Sequence, residues 1–147
     1  MSDTYDFITF AELNEKVASV SSGLIKSCNL KPKDKVVIYA DTKQAWMTTA
    51  QAVFRTNATV VTIYATLGAE GVEHGVNETS ASVIVCDGKL LKNVESIVAN
   101  CPSVKHVVCL TDPEQSAMTK LPNGIKVHMF SDIEETGRKY KSDPVPP

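Results

Sequence analysis

The run Lys35-Val36-Val37-Ile38-Tyr39-Ala40 leads into Asp41-Thr42, a helical pattern, and a second short apolar run, Thr59-Val60-Val61-Thr62-Ile63-Tyr64. A strand that is apolar on both faces is expected inside a sheet covered by helices. Between the two runs Trp46, Ala50 and Val53 fall at helical spacing, with Asp41 and Thr42 placed to cap a helix that runs to about Thr56. The segment therefore reads strand–helix–strand, the unit of a parallel sheet. Within it Trp46 reads first as a core anchor and second as a ligand contact.

The same alternation extends both ways. Upstream, Phe10, Leu13, Val17, Val20, Leu24 and Cys28 form one apolar stripe, so residues 10–28 read as a helix. Thr9 with Glu12 fits a capping box at its start, and Pro32 blocks its continuation. Downstream come a short helix over 68–77 with Glu70 near its positive end, and a strand over 82–86. A helix over 89–100 follows, ended by Pro102, and then a strand over 105–110. Residues 111–124 read as a loop, with one helical turn near Glu114 and a turn at Asn123-Gly124. A fifth strand covers 125–130, and the last helix 131–139. That helix has a Ser131/Glu134 capping box, acids Asp132, Glu134 and Glu135 first, and Arg138 and Lys139 last. The tail, Asp143-Pro144-Val145-Pro146-Pro147, reads as an extended linker. Five strands alternating with helices predict an α/β fold with a mostly parallel sheet, occupying residues 1–142.

Fifteen basic and 17 acidic residues in 147 leave a net charge of −2, which offers no general attraction to nucleic acid or acidic lipid. No apolar run approaches the roughly 18 residues of a membrane span, and the polar start lacks the order of a secretory signal. The expectation is a soluble, intracellular, cytoplasmic chain. Cys28, Cys86, Cys101 and Cys109 include no C-x-x-C pair, so packing is the default role. The sequons at Asn57 and Asn77 read as chance matches in such a chain.

Chemistry in a parallel sheet is sought at the strand ends. No Gly-x-Gly-x-x-Gly or Walker loop occurs. Gly68, Gly71 and Gly75 after the second strand read as a structural turn before an anion cradle. Asp87 after the third strand reads as a helix cap before a ribose ligand. His74 lies near Glu70 on one helical face, as a solvated pair. His106 and His128 sit in strands, side by side, in structural roles. No cysteine or acid stands at metal-ligand spacing beside any histidine, and no catalytic triad can be assembled. Sequence reasoning thus assigns no catalytic, cofactor-binding or metal-binding residue.

Longer matches go further. Leu30-Lys31-Pro32-Lys33-Asp34-Lys35-Val36-Val37-Ile38-Tyr39-Ala40 resembles the "L-K-P-G-D-K-V-A-I-Y-A" segment of long-chain acyl-CoA synthetases, in the adenylate-forming AMP-binding superfamily. Trp46-Met47 and Ala50-Gln51-Ala52-Val53-Phe54-Arg55 continue the likeness. So do Val60-Val61-Thr62-Ile63-Tyr64-Ala65-Thr66-Leu67-Gly68 and His74-Gly75-Val76-Asn77-Glu78-Thr79. Lys33 departs where glycine is usual in the turn, and Ala45 where an acid precedes the tryptophan. The resemblance implies a ligase that forms an acyl-adenylate from ATP and a fatty acid and then passes the acyl group to coenzyme A, with Mg²⁺ offsetting phosphate charge. The family's phosphate loop, "T-S-G-T-T-G-x-P-K-G", and its later motifs do not occur in this sequence. The chain is therefore expected to be an inactive N-terminal fragment, or alternatively a standalone binding or regulatory module. Its expected partner is the remainder of the ligase domain. ATP, Mg²⁺, coenzyme A and fatty acid are expected only in the complete enzyme. Attachment to a membrane such as the endoplasmic reticulum would come only through segments outside this sequence.

Overall fold

The computed structural model describes residues 9–41, 44–111 and 124–140. The elements in order are α1 (Phe10–Cys28), β1 (Lys35–Tyr39), α2 (Gln44–Arg55), β2 (Thr59–Ile63), α3 (Ala69–Thr79), β3 (Val83–Cys86), α4 (Leu91–Ile97), β4 (His106–Cys109), β5 (Lys126–Met129) and α5 (Phe130–Lys139). Single 3-10 turns, Gly88–Leu90 and Val98–Asn100, flank α4, so the expected helix over 89–100 is shorter and tightens at both ends. All four strand pairings are parallel, in the order β2-β1-β3-β4-β5. The expected helical turn near Glu114, Thr42, Asn123 and the expected linker at 143–147 lie outside the described residues.

Burial follows strand position. β1 is buried from its second residue on and β3 throughout, whereas the edge strands β2 and β5 are half-covered. The alternation of side chains splits the core in two. Val36, Ile38, Val83, Val85 and Val108 meet α1, α2 and α5 on one face. Val37, Tyr39, Ile84, Cys86 and Val107 meet α3 and α4 on the other. Each fully buried Val or Ile contributes roughly 1.5–3 kcal/mol relative to exposure.

α1 departs from its expected stripe. Val20, Leu24 and Cys28 are buried, but Phe10 is 89% exposed, because the first turns project past the elements that cover the second half. The Thr9 cap forms, with the Glu12 N–H donating to Thr9 Oγ1 at 3.1 Å. Glu12 closes the box differently from expectation, accepting from the Thr9 hydroxyl at 3.1 Å.

The capping box expected at Ser131 and Glu134 does not form. α5 starts at Phe130, directly out of β5, so its cap is Met129, which has no side-chain oxygen to accept a bond. Ser131 is already inside the helix, and Glu134 pairs instead with Arg138 and with Lys16 of α1, at 3.9 Å for the latter.

The α1–α5 contact is built on two glycines. A Cβ on Gly137 would lie 1.5 Å from the Ser19 carbonyl oxygen, and one on Gly23 would lie 1.8 Å from the Ile133 carbonyl oxygen. The two backbones touch there, and no side chain fits between them.

Candidate functional site

Parallel sheets offer a ligand crevice outside the carboxyl ends of the strands, where the strand order reverses. β1 has β2 on one flank and β3 on the other, so the reversal falls between β1 and β3. The groups there bind one another. Asp87 is 1% exposed, and its Oδ2 accepts the Asp41 N–H at 3.0 Å. The Asp41 carboxylate accepts from Lys89 Nζ at 2.9 Å, and that hydrogen bond and charge raise the lysine's pKa. The Gly88 N–H donates to Thr111 Oγ1 at 2.8 Å. Asp87 was expected to cap a helix. It makes no capping bond and instead ties β3 to the loop after β1.

Tyr39 reinforces this edge. Its hydroxyl donates to the Leu67 carbonyl at 2.6 Å and accepts from Asn93 Nδ2 at 2.9 Å, linking β1, the loop after β2, and α4. Beside it lies an open cavity of about 350 Å³, lined by Asp41, Trp46, Ile63, Tyr64 and Thr66 among others. Trp46 is half-buried: it packs on the α1–α2 core and also forms part of the cavity wall.

The glycines after β2 make room for packing. Gly68 caps α3 in an extended conformation without a side-chain bond. A Cβ on Gly71 would approach Leu67 Cγ to 2.6 Å, and one on Gly75 would approach Ile63 Cδ1 to 3.0 Å.

The histidines separate into two cases. His74 is exposed and pairs with Glu78 at 3.0 Å, not with Glu70. His106 and His128 do lie together, with Nδ1 of the first 3.0 Å from Nε2 of the second. In the register His106 faces Lys126 and Val108 faces His128, so the two imidazoles are diagonal neighbours on one face. Burial, then the nearby Lys126 charge, lowers the pKa of His106. Burial also lowers that of His128, with His106 and Lys126 adding to it and Asp132 opposing.

Sequence spacing gave no cysteine for this pair, yet Cys28 joins it. The three ligand-capable atoms of Cys28, His106 and His128 lie within 4.8 Å of one another. Burial pushes the Cys28 thiol up to about 12. The available signal was indirect: Cys28 ends the apolar stripe of α1, and that stripe covers the face on which both histidines stand. The four cysteines are otherwise buried and free. Cys86 faces Cys109 across β3 and β4, and their hydrogen bond together with burial raises the Cys86 thiol.

The architecture places the chain in a class. A five-stranded parallel sheet with helices on both faces is the α/β scaffold of the N-terminal part of adenylate-forming domains. It superposes on the A–PCP didomain of a carboxylic acid reductase from Segniliparus rugosus, solved in complex with AMP, with a TM-score of 0.86. That match has 17% identity and covers 98% of this chain and 22% of the other, so it speaks for the fold.

The AMP-binding enzyme family profile matches residues 1–143, and the chain belongs to that family. It is similar to Long chain acyl-CoA synthetase 8 of Arabidopsis thaliana, 32% identical over 146 residues, covering 97% of this chain and 20% of that protein. It is also similar to Long-chain-fatty-acid–CoA ligase 1 of Schizosaccharomyces pombe, 27% identical over 147 residues, covering 97% and 21%. The chain thus spans about a fifth of the length of these relatives.

Proposed function

We propose that this chain is scaffold within an ATP-dependent long-chain fatty acid–CoA ligase and is inactive alone. In this reading residues 1–142 are part of a larger AMP-binding domain, and 143–147 link them to the rest. ATP, Mg²⁺, fatty acid and coenzyme A are handled by groups elsewhere in the enzyme. One observation carries the reading: at the strand reversal, the Asp87 carboxylate accepts the Asp41 amide and Lys89 pairs with the Asp41 carboxylate, so these groups tie β3 to the loop after β1. A triphosphate needs a ring of backbone N–H donors and a lysine aimed outward, and these residues do not fit one. The sequence likewise contains no phosphate loop.

Exposed apolar side chains support the partner in this reading. Tyr64, just past β2, is 83% exposed, and Leu67 in the same loop and Met47 and Phe54 along α2 are also uncovered. Large exposed apolar groups are candidates for burial against a partner, and the rest of the ligase domain is the proposed cover. No helix among the described residues is long and apolar enough to cross a membrane.

The test is ATP–pyrophosphate exchange and acyl-CoA formation with palmitate, ATP, Mg²⁺ and coenzyme A. The expected result is no turnover above the protein-free blank; turnover abolished by Asp87→Ala would defeat the proposal. A second reading, a standalone acyl-CoA-binding module, rests on the cavity at Trp46 and Tyr64. Saturable binding of palmitoyl-CoA that is lost in Trp46→Ala would favour it.

A further inference from the structure

A second constellation lies on the α1 face of the sheet, at the amino end of β4 and along β5, away from the strand reversal. Cys28 is the last residue of α1, His106 the first of β4, and His128 the third of β5. Three elements of defined geometry therefore deliver one thiol and two imidazoles to one point.

We propose that Cys28 Sγ and one ring nitrogen each of His106 and His128 form a three-ligand site for a divalent transition metal of the zinc class, with a fourth position open to the adjoining cavity. The first argument is distance. Zinc–sulfur bonds of about 2.3 Å and zinc–nitrogen bonds of about 2.0–2.1 Å in a tetrahedron separate ligand atoms by roughly 3.3–3.6 Å. The ligand-capable atoms here are all within 4.8 Å of one another, and the imidazole nitrogens are already 3.0 Å apart. Rotamer adjustments of about an ångström close the site.

The second argument is donor type. One thiolate and two imidazoles suit zinc and its borderline neighbours, while magnesium and calcium require oxygen ligands. The third is the surroundings. A cavity of about 210 Å³ adjoins Cys28 and His106 and is also lined by Asn29, Asp34 and Ser82. Ser82 Oγ is buried without a hydrogen-bond partner among the described residues. A water on the open metal position would give it one.

The nearby charges set a limit on affinity. Lys31 and Lys105 line the same cavity and Lys126 stands beside both histidines, opposing a cation. Burial, and after it the Lys126 charge, favours the neutral imidazoles, which is their ligating state. On binding, the Cys28 thiol releases its proton to solvent and becomes thiolate. The hydrogen now shared between the rings moves to a ring nitrogen facing away from the metal. One proton leaves per metal bound, and no redox change occurs.

The experiment loads the purified 147-residue chain with zinc or cobalt chloride. The expected results are one zinc per chain by equilibrium dialysis with elemental analysis, and a cobalt form with tetrahedral visible bands and a thiolate-to-cobalt ultraviolet band. Cys28→Ser should remove the ultraviolet band, and His106→Gln or His128→Gln should weaken zinc binding about tenfold or more. His74→Gln and Cys101→Ser should change neither. Non-saturable uptake, or uptake unchanged in the His106→Gln/His128→Gln double variant, overturns the proposal. If those variants misfold, zinc-edge X-ray absorption on the unaltered chain decides: one sulfur at about 2.3 Å supports the site, and a shell of nitrogen and oxygen alone sinks it.

Discussion

Lys33 shows how a single backbone angle carries a cost. It sits at φ 71°, in the left-handed region, in the turn between α1 and β1, where its N–H donates to the Asn57 carbonyl at 2.8 Å. A side chain there costs about 1–2 kcal/mol, partly offset by the entropy a glycine would lose on folding. Lys33→Gly should therefore stabilise the chain by up to about 1 kcal/mol in urea unfolding. A loss of stability would show that the lysine side chain makes an interaction outweighing the strain. Gly137 is the reverse case. Gly137→Ala forces a methyl onto the Ser19 carbonyl, so it should destabilise by about 3 kcal/mol, the upper part of the overpacking range, because neither backbone can yield. A melting temperature within a degree or so of the unaltered chain would refute the close approach. The sequence marks Lys33 as odd only through its resemblance to a glycine position. It gives no sign at all of Gly23 and Gly137, whose partners lie at the far end of the chain.

At the scale of elements, periodicity carried most of the information. The run Lys35–Tyr39 is a strand because Val36, Val37, Ile38 and Tyr39 are apolar on both faces, and the sheet buries all four. Among the described residues every strand and helix read from the pattern exists, and ends move by only a few residues. Caps were legible where a loop precedes the helix and illegible where a strand runs straight into it. Thr9 accepts the Glu12 N–H, whereas Ser131 is overrun by a helix that begins at Phe130. Thr9→Ala should cost about 0.5–1 kcal/mol of local stability in α1, read as faster amide exchange in its first turns. Ser131→Ala should leave α5 exchange unchanged, and a comparable acceleration there would restore the capping box. The candidate sites were less visible than the elements. Asp87 and Asp41 are 46 residues apart, and Cys28 is far from both histidines, so no local spacing joins them. Only the sheet order does.

For the molecule as a whole, the exposed apolar groups decide behaviour. Among the described residues Tyr64, Phe54, Met47, Leu67 and Phe10 are large apolar side chains left exposed, groups that favour association. Sedimentation velocity should show self-association that grows with concentration. Tyr64→Ser with Phe54→Ser should reduce it, because the exposed area falls while neither core is touched. A monomer at all concentrations would argue against a covered surface. Among the described residues each edge strand also keeps one open flank, a further route to pairing.

The glycine crossing between α1 and α5 has a consequence in time. α1 is made before α5, with the whole sheet between them. During synthesis, the half of α1 that holds Ser19, Gly23 and Leu24 emerges from the ribosome long before the helix that will lie against it. Until then the part of that face that meets α5 waits uncovered, and the layer can close only when α5 arrives.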